Sequence, residues 1–164
     1  MEEVLFIKET NNRVYIRAQG HITANACPEL KARVFNRLDA KPAVEDVIID
    51  LSSCEYMDST FMGLIVGFNK RFMRFSERPI RLAGLSETCM KLLKTIGIVR
   101  LVTIEDEVPA FPEPLERLSA ESKAGAGLVL RAHEELMELS EENERRFSAL
   151  RDVLKGAAEA EKQD

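Results

Sequence analysis

The residues with the clearest chemical potential lie in one short stretch, Met57-Asp58-Ser59-Thr60. This stretch follows an apolar run at 47–51 and precedes a helical apolar repeat, so its hydroxyls are predicted at the start of a helix. The first backbone amides of a helix lack internal partners and carry a partial positive charge, which favours a phosphate there. Asp58 is a good N-cap whose carboxylate would repel that phosphate. Phosphorylation would therefore reverse the local charge balance without unfolding a sheet.

The same residues also have a purely structural interpretation. An aspartate followed by two hydroxyl residues before an apolar helix is a capping cluster. Local chemistry alone leaves both interpretations open. A third, a phospho-acceptor at Asp50 as in receiver domains, lacks support because that fold needs an acidic pair near its first strand, where this chain offers only Glu9.

Other kinds of site find little support in the sequence. The two histidines, His21 and His133, do not have metal-ligand spacing, and a Ser-His-Asp triad would need an unsupported coincidence of distant residues. Standard glycine-rich nucleotide-binding loops are absent. Cys27, Cys54 and Cys89 are odd in number and lack C-x-x-C spacing, which indicates reduced thiols. We expect no catalytic residue, no metal and no cofactor, and hence not an enzyme.

Alternating strands and helices are predicted as far as residue 107. The order β-β-α-β-α-β-α-β predicts an α/β fold with a mixed sheet flanked by helices. An Asn-Asn turn joins the first two strands, and Pro28 lies in the first turn of a helix that Thr23 or Asn25 caps. Gly97 suits the C-cap of the third helix. The predicted strands cover residues 4–9, 13–20, 47–51, 80–83 and 101–104.

The helix predicted from Asp58 to about Phe75 has two contrasting sides. One side is a continuous apolar arc that is typical of a buried face. The other is a bare, basic outer edge, which either contacts an acidic partner or is simply solvated. Its glycines would allow another surface to approach closely. The apolar arc consists of Phe61, Leu64, Ile65, Phe68, Phe72 and Phe75, and the outer edge consists of Gly63, Gly67, Lys70, Arg71 and Arg74.

Charge and composition divide the chain. Of the net charge of −5, the segment 115–164 carries −4, from 8 basic and 12 acidic residues. This balance argues against direct nucleic-acid binding.

No apolar run is long enough to cross a bilayer, and the N-terminus lacks a basic region before an apolar stretch, so we expect a cytoplasmic protein without a membrane partner. Prolines 109, 112 and 114 predict a linker, giving a domain at 1–107, a linker at 108–127 and a helical tail at 128–164.

The tail predicts an amphipathic helix with three possible roles. An a/d trace of about three heptads runs from Leu136 to Ala157 and places Asn143 at a central a position. The helix would pack on its own domain or pair two copies into a homodimer, and we favour these over a lid that covers the basic edge of the preceding domain. Residues 119–127 are small and polar enough to form a flexible break before it.

Three segments together resemble the STAS domains of anti-sigma factor antagonists over about residues 2–107. In that family a D-S-[S/T]-G-L-G-like motif opens a helix, and 57–64 of this chain resembles it. The segments 20–23 and 82–85, the latter leading to 93–98, are similar to further family features in order and spacing.

The resemblance implies a function in partner switching. Ser59 occupies the position that an anti-sigma kinase phosphorylates, with Thr60 as the second choice, and a PP2C-type phosphatase would reverse the modification. The unphosphorylated protein would bind the anti-sigma factor and release its other client. The alternative is a phosphorylation-independent scaffold or dimerisation module. The partner-binding surface would comprise His21, Thr23, Asp58, Ser59, Thr60, Gly63, Gly67, Lys70, Arg71 and Arg74.

Three positions depart from the family pattern. Phe61 replaces a usual glycine, and it either packs inward or crowds a docking partner. The family usually has an acidic residue at the position of His21 and an aspartate near Thr23. These changes indicate either a divergent partner specificity or a scaffold that has lost switching.

Overall fold

The computed structural model describes residues 2–119 and 123–163, which contain one six-stranded mixed sheet with strand order β5-β4-β3-β2-β1-β6. Helices α1 to α3 alternate with the strands, and two further helices follow β6. The strands are β1 Val4–Thr10, β2 Arg13–Ile22, β3 Asp46–Met57, β4 Arg81–Ala83, β5 Thr103–Glu105 and β6 Glu116–Leu118. The helices are a short 3₁₀ turn at Ala24–Ala26, α1 Cys27–Asp39, α2 Ser59–Phe72, α3 Glu87–Ile96, α4 Ala126–Met137 and α5 Glu141–Gln163.

The α/β fold and the predicted order of elements through β5 are confirmed. Asn11 and Asn12 form the hairpin turn with φ of 52° and 60°, and Thr10 pairs with Arg13 across it. Positive φ at both turn residues matches the right-handed twist of the two strands, which explains why asparagines occupy them. Gly97 ends α3 with φ of 94°, as its predicted capping role requires.

Strands β2, β3, β4 and β5 run parallel, so the loops after them meet at one edge of the sheet. Ile22 at the end of β2 pairs with Met57 at the end of β3. The backbone N–H of Asp58 then donates to the carbonyl of Ile22 at 3.0 Å. This pairing places the loop after β2 directly beside the first turn of α2.

The apolar arc of α2 packs into the core, as predicted, with one exception. Phe61, Phe68 and Phe72 are among the largest fully buried side chains. Phe61 is 0% exposed and therefore packs inward, which removes the alternative that it crowds a docking partner. The inclusion of Phe75 was wrong: α2 ends at Phe72, and Phe75 is 43% exposed.

The start of α1 differs in detail from the prediction. Pro28 does lie in the first turn, but α1 begins at Cys27 and no side chain caps it. The backbone N–H and hydroxyl of Thr23 both donate to Glu3 at 2.8 Å. The side chain of Asn25 accepts instead from the backbone N–H of Ala124 at 3.2 Å. Both residues therefore make contacts distant in sequence, which a local capping rule does not anticipate.

The proline-containing segment is packed against the sheet, and part of it belongs to the sheet. β6 pairs antiparallel with β1, matching Leu118 with Leu5, and Leu118 is 2% exposed. Phe111 packs edge-on against Tyr15 with ring centroids 5.1 Å apart, and the Arg17 guanidinium lies 5.2 Å from the Phe111 ring. The sequence analysis did not predict β6, because Glu116–Leu118 contains a single apolar residue and lacks the apolar run that indicated the equally short β4 and β5.

The tail forms two helices instead of the single predicted helix. The hydroxyl of Ser140 accepts from the backbone N–H of Asn143 and so marks the start of α5. The Asn143 amide, in a residue 1% exposed, donates to the carbonyls of Ile96 and Leu136 at 2.9 and 2.8 Å. Asn143 therefore joins α3, α4 and α5 within one chain. The predicted flexible break includes 120–122, which lie outside the described residues.

Candidate phosphorylation and docking site

Asp58 anchors the start of α2 to the loop after β2. Its Oδ1 accepts from the backbone N–H of Phe61, and its Oδ2 accepts from the backbone N–H of Ala24, both at 2.9 Å. The predicted N-cap is therefore confirmed. Burial raises the pKa of the Asp58 carboxyl, and the amide donors oppose that shift. The backbone N–H of Phe61 is therefore not available to a phosphate on Ser59, since Asp58 already accepts from it.

The hydroxyl of Ser59 forms a hydrogen bond with a residue of α4. Its Oγ lies 2.7 Å from Nε2 of His133, whose Nδ1 lies 2.8 Å from the carbonyl of Val129. A carbonyl only accepts, so Nδ1 carries a proton; in a neutral ring Nε2 is then the acceptor and Ser59 donates to it. His133 is 2% exposed. The sequence analysis missed this partner, because 74 residues separate the pair and no motif connects them.

The two candidate hydroxyls of the motif differ in exposure. Ser59 is half-buried, whereas Thr60 is 3% exposed. An enzyme that modifies a side chain must reach its oxygen. Ser59 is therefore the better placed of the two in this conformation.

Helix α4 packs directly on the face of α2 that carries Gly63. A Cβ added at Gly63 would lie 2.2 Å from the carbonyl oxygen of Ala132 and 2.8 Å from its Cα. Only glycine permits two helix backbones to approach this closely. The prediction of a bare outer edge is thus wrong for Gly63, which the chain's own tail covers.

The rest of that edge is charged and partly covered. Nζ of Lys70 lies 2.7 Å from a carboxylate oxygen of Glu138 and 3.4 Å from one of Glu135, both belonging to the α4 segment and its C-cap. The hydrogen bond to Glu138, followed by the charge of Glu135, raises the pKa of Lys70. Arg71 pairs with Asp39 at 3.1 Å, while Gly67 is half-buried and Arg74 exposed. The tail therefore packs on its own domain and also covers part of the basic edge.

His21 and Thr23 lie at the same edge of the sheet as Asp58, because His21 is near the end of β2 and Thr23 follows that strand. His21 is exposed, with Nε2 3.4 Å from a carboxylate oxygen of Glu55. Thr23 is tied to Glu3 and is half-buried. The structure thus brings His21, Thr23, Asp58 and Ser59 into one region, while the basic residues extend along α2 away from it.

The remaining sequence features have structural positions. Cys27, Cys54 and Cys89 are unbridged and buried, with Sγ of Cys54 and Cys89 3.9 Å apart. Within 2–119 and 123–163 there is no group of three or more residues that could hold a metal ion. Across the same residues, no helix combines the length and apolar character needed to span a membrane.

The fold and the motif at the start of α2 define a known class of domain. The STAS domain model matches residues 6–110, and the chain belongs to the STAS domain family. The anti-sigma-B factor antagonists of Listeria monocytogenes and Listeria innocua are each 30% identical to it over 103 residues, which cover 61% of this chain and 86% of the relative. The family match ends before α4 and α5.

Solved structures confirm the fold. The unphosphorylated anti-sigma factor antagonist SpoIIAA has a TM-score of 0.55 at 21% identity, covering 62% of this chain and 89% of SpoIIAA. An anti-sigma-factor antagonist (STAS) domain protein from Planctomyces limnophilus has a TM-score of 0.53 at 17% identity, covering 63% of this chain and 91% of the Planctomyces protein.

Proposed function

We propose that this protein is an anti-sigma factor antagonist that acts by partner switching and is controlled by phosphorylation of Ser59. The similarity to the two Listeria anti-sigma-B factor antagonists supports the first part. A phosphorylated form is known for a protein of similar fold, the Bacillus cell fate determinant SpoIIAA. The observation that carries the proposal for this chain is the position of Ser59, the first residue of α2 and the more exposed hydroxyl of the motif.

A phosphate on Ser59 would disturb the contacts that now surround the hydroxyl. It adds a charge of about −1.5 to −2 beside the Asp58 carboxylate. The esterified Oγ atom no longer carries the proton that Ser59 donates to Nε2 of His133, so the present hydrogen bond at 2.7 Å would be lost. Because His133 is part of α4, modification of Ser59 would shift the balance between docked and undocked α4.

The partners in this proposal are proteins. The unphosphorylated form binds an anti-sigma factor with serine kinase activity and releases the client of that kinase. Phosphorylation weakens the complex, because the charge that it places on the docking surface outweighs the release of α4 from that surface. A PP2C-type phosphatase restores binding. The protein itself performs no catalysis in this scheme and works in the cytoplasm without contact to nucleic acid.

Helix α4 acts as an internal competitor for the partner. A partner that docks along α2 must displace Ala132 from Gly63 and the carboxylates of Glu135 and Glu138 from Lys70. If only a fraction of molecules have α4 undocked, the apparent affinity falls by that fraction. Deletion of the tail would then strengthen partner binding, and an unchanged affinity would refute the competitor role.

The switch is tested by calorimetry of binding to the anti-sigma kinase of the same organism. Ser59→Ala is expected to retain binding and Ser59→Asp to lose it. Ser86→Asp is a matched control, because it adds the same charge at the N-cap of α3 and keeps a capping oxygen. Equal binding by Ser59→Asp and Ser86→Asp would contradict phosphorylation control.

A second candidate is a phosphorylation-independent scaffold that dimerises through α5. The observation that favours it is a pair of exposed apolar residues one turn apart, Leu150 at 42% and Val153 at 69% exposure. Molar mass measured by light scattering over a range of concentrations tests it. A mass that stays monomeric would exclude this candidate, and a dimer that Val153→Glu dissociates would support it.

A further inference from the structure

A basic cavity lies between α1, α2 and α4, away from Ser59. Its volume is about 160 Å³. The glycines of α2 form part of its floor: a Cβ at Gly67 would meet only the end of the Phe35 ring, at 3.6 Å. The charged residues that line it are Lys31 from α1, Lys70, Arg71 and Arg74 from α2 and the turn after it, and Arg131 and Glu135 from α4.

Most of this positive charge is not neutralised. Glu135 is the single carboxylate among the lining residues, and it contacts Lys70. Within the described part of the chain, Lys31, Arg74 and Arg131 form no ion pair. Charged groups brought together without counter-charges destabilise a fold, so a cavity lined this way favours an anion.

The ring of Phe35 holds two of the cations in place. The Arg71 guanidinium lies 3.9 Å from the ring centroid, and the Lys31 ammonium lies 5.5 Å from it. Burial lowers the pKa of Lys31, and the positive charges of Arg131 and Arg71 lower it further. These three cations thus come from three helices. Lys31 and Arg71 are half-buried and Arg131 is exposed, and Asp39, which does not line the cavity, pairs with Arg71. A bound anion would relieve the remaining repulsion among them.

We propose that this cavity binds a compact, multiply charged oxyanion of the phosphate class, held by Lys31, Arg71 and Arg131. The planar guanidinium groups suit the paired oxygens of a phosphate, and the volume suits inorganic phosphate or pyrophosphate. This site uses α4, which lies outside the family match. Ser59 does not line it, and the proposal does not rest on modification of Ser59.

Anion binding would stabilise the docked position of α4. Two of the three cations belong to α1 and α2, whereas Arg131 belongs to α4, so the complete site exists only when α4 is docked. A ligand that binds one of two states shifts the population toward that state. The same linkage requires that undocking α4 weaken the binding of the anion.

Titration calorimetry of the full chain with inorganic phosphate and with pyrophosphate, at constant ionic strength, tests the proposal. We expect saturable one-to-one binding by at least one of the two. Lys31→Gln and Arg131→Gln are each expected to weaken it about tenfold, the ratio that corresponds to one lost charge-assisted hydrogen bond. The matched control is Lys91→Gln, which removes an exposed cation of α3 outside the cavity and should leave the affinity unchanged.

Hydrogen exchange of α4 provides a second, independent measurement. The bound anion should slow exchange at 126–137 in the unmodified protein and not in Arg131→Gln. Absence of saturable binding, or equal weakening by Lys91→Gln, would overturn the site. Binding that leaves α4 exchange unchanged would overturn the assignment of Arg131 as a ligand.

Discussion

Replacing Gly63 by alanine tests the packing of α4 on α2. The added methyl carbon would lie 2.2 Å from the carbonyl oxygen of Ala132. Even a weak C–H···O contact needs about 3.3–3.6 Å between these atoms, so the two backbones must separate by about 1 Å or more. The hydrogen bond of Ser59 to His133, now 2.7 Å, would then stretch beyond its useful range.

The size of the effect follows from overpacking of a close contact, which costs about 1–3 kcal/mol. The helix propensity that alanine adds, about 0.5–1 kcal/mol, stabilises α2 whether α4 is docked or undocked and so does not change the docking equilibrium. The overpacking cost at Gly63 is not avoided, because backbone atoms of Ala132 cannot move as a flexible side chain would. The docked state of α4 should lose about 1–2 kcal/mol, which raises the opening equilibrium roughly 5- to 30-fold.

Hydrogen exchange at 126–137 measures that opening. Gly67→Ala is the matched control, because its new methyl group would meet only Phe35 Cζ, at an ordinary contact distance of 3.6 Å. This variant adds the same helix propensity to α2 as Gly63→Ala does. We expect Gly63→Ala to accelerate exchange of α4 within the range of roughly 5- to 30-fold, while Gly67→Ala leaves it unchanged or slower. If both variants exchange alike, α4 does not dock on Gly63 as described and the reasoning fails.

Two further predictions concern the cap and the charged contact. Asp58→Ala should lower the free energy of unfolding, measured in urea, by about 1–2 kcal/mol, because the N-cap and the hydrogen bond from the backbone N–H of Ala24 are both lost. Asp58→Asn keeps one acceptor oxygen and should lose less stability. An equal loss in the two variants would contradict the capping role. Lys70→Gln should accelerate hydrogen exchange of α4, by no more than about fivefold, because an exposed ion pair contributes at most about 1 kcal/mol. The control variant Arg78→Gln should leave the exchange of α4 unchanged. Since the pKa of Lys70 is raised in the folded state, its ion pairs stabilise the docked α4 fully at pH values below the unfolded pKa of Lys70. This stabilisation is lost only as the pH rises through the folded pKa. Added salt should also weaken these ion pairs.

Local signals in the sequence predicted the parts of the fold that depend on neighbouring residues. The Asn11-Asn12 turn, the Asp58 cap and the Gly97 C-cap each follow from the conformational preference of one or two residues. The apolar arc of α2 follows from helical periodicity. Periodicity does not mark where a helix ends, so Phe75 was wrongly included in the buried arc.

Local sequence signals could not predict the contacts between segments that are distant in the chain. β6 contains a single apolar residue, Leu118, and its pairing with β1 joins residues more than 100 positions apart. The hydrogen bond between Ser59 and His133 exists because α4 returns to α2 after both the sheet and the proline segment. The sequence did indicate an amphipathic tail, but the residue that it contacts, Gly63, was interpreted as an open surface.

Phosphopeptide mass spectrometry on the protein isolated from its own cells, with and without phosphatase treatment, tests the central proposal most directly. The account predicts a phosphate on Ser59 that phosphatase removes and that changes in amount with growth or stress. A phosphate found only on another residue, or none under any of these conditions, would contradict control through Ser59.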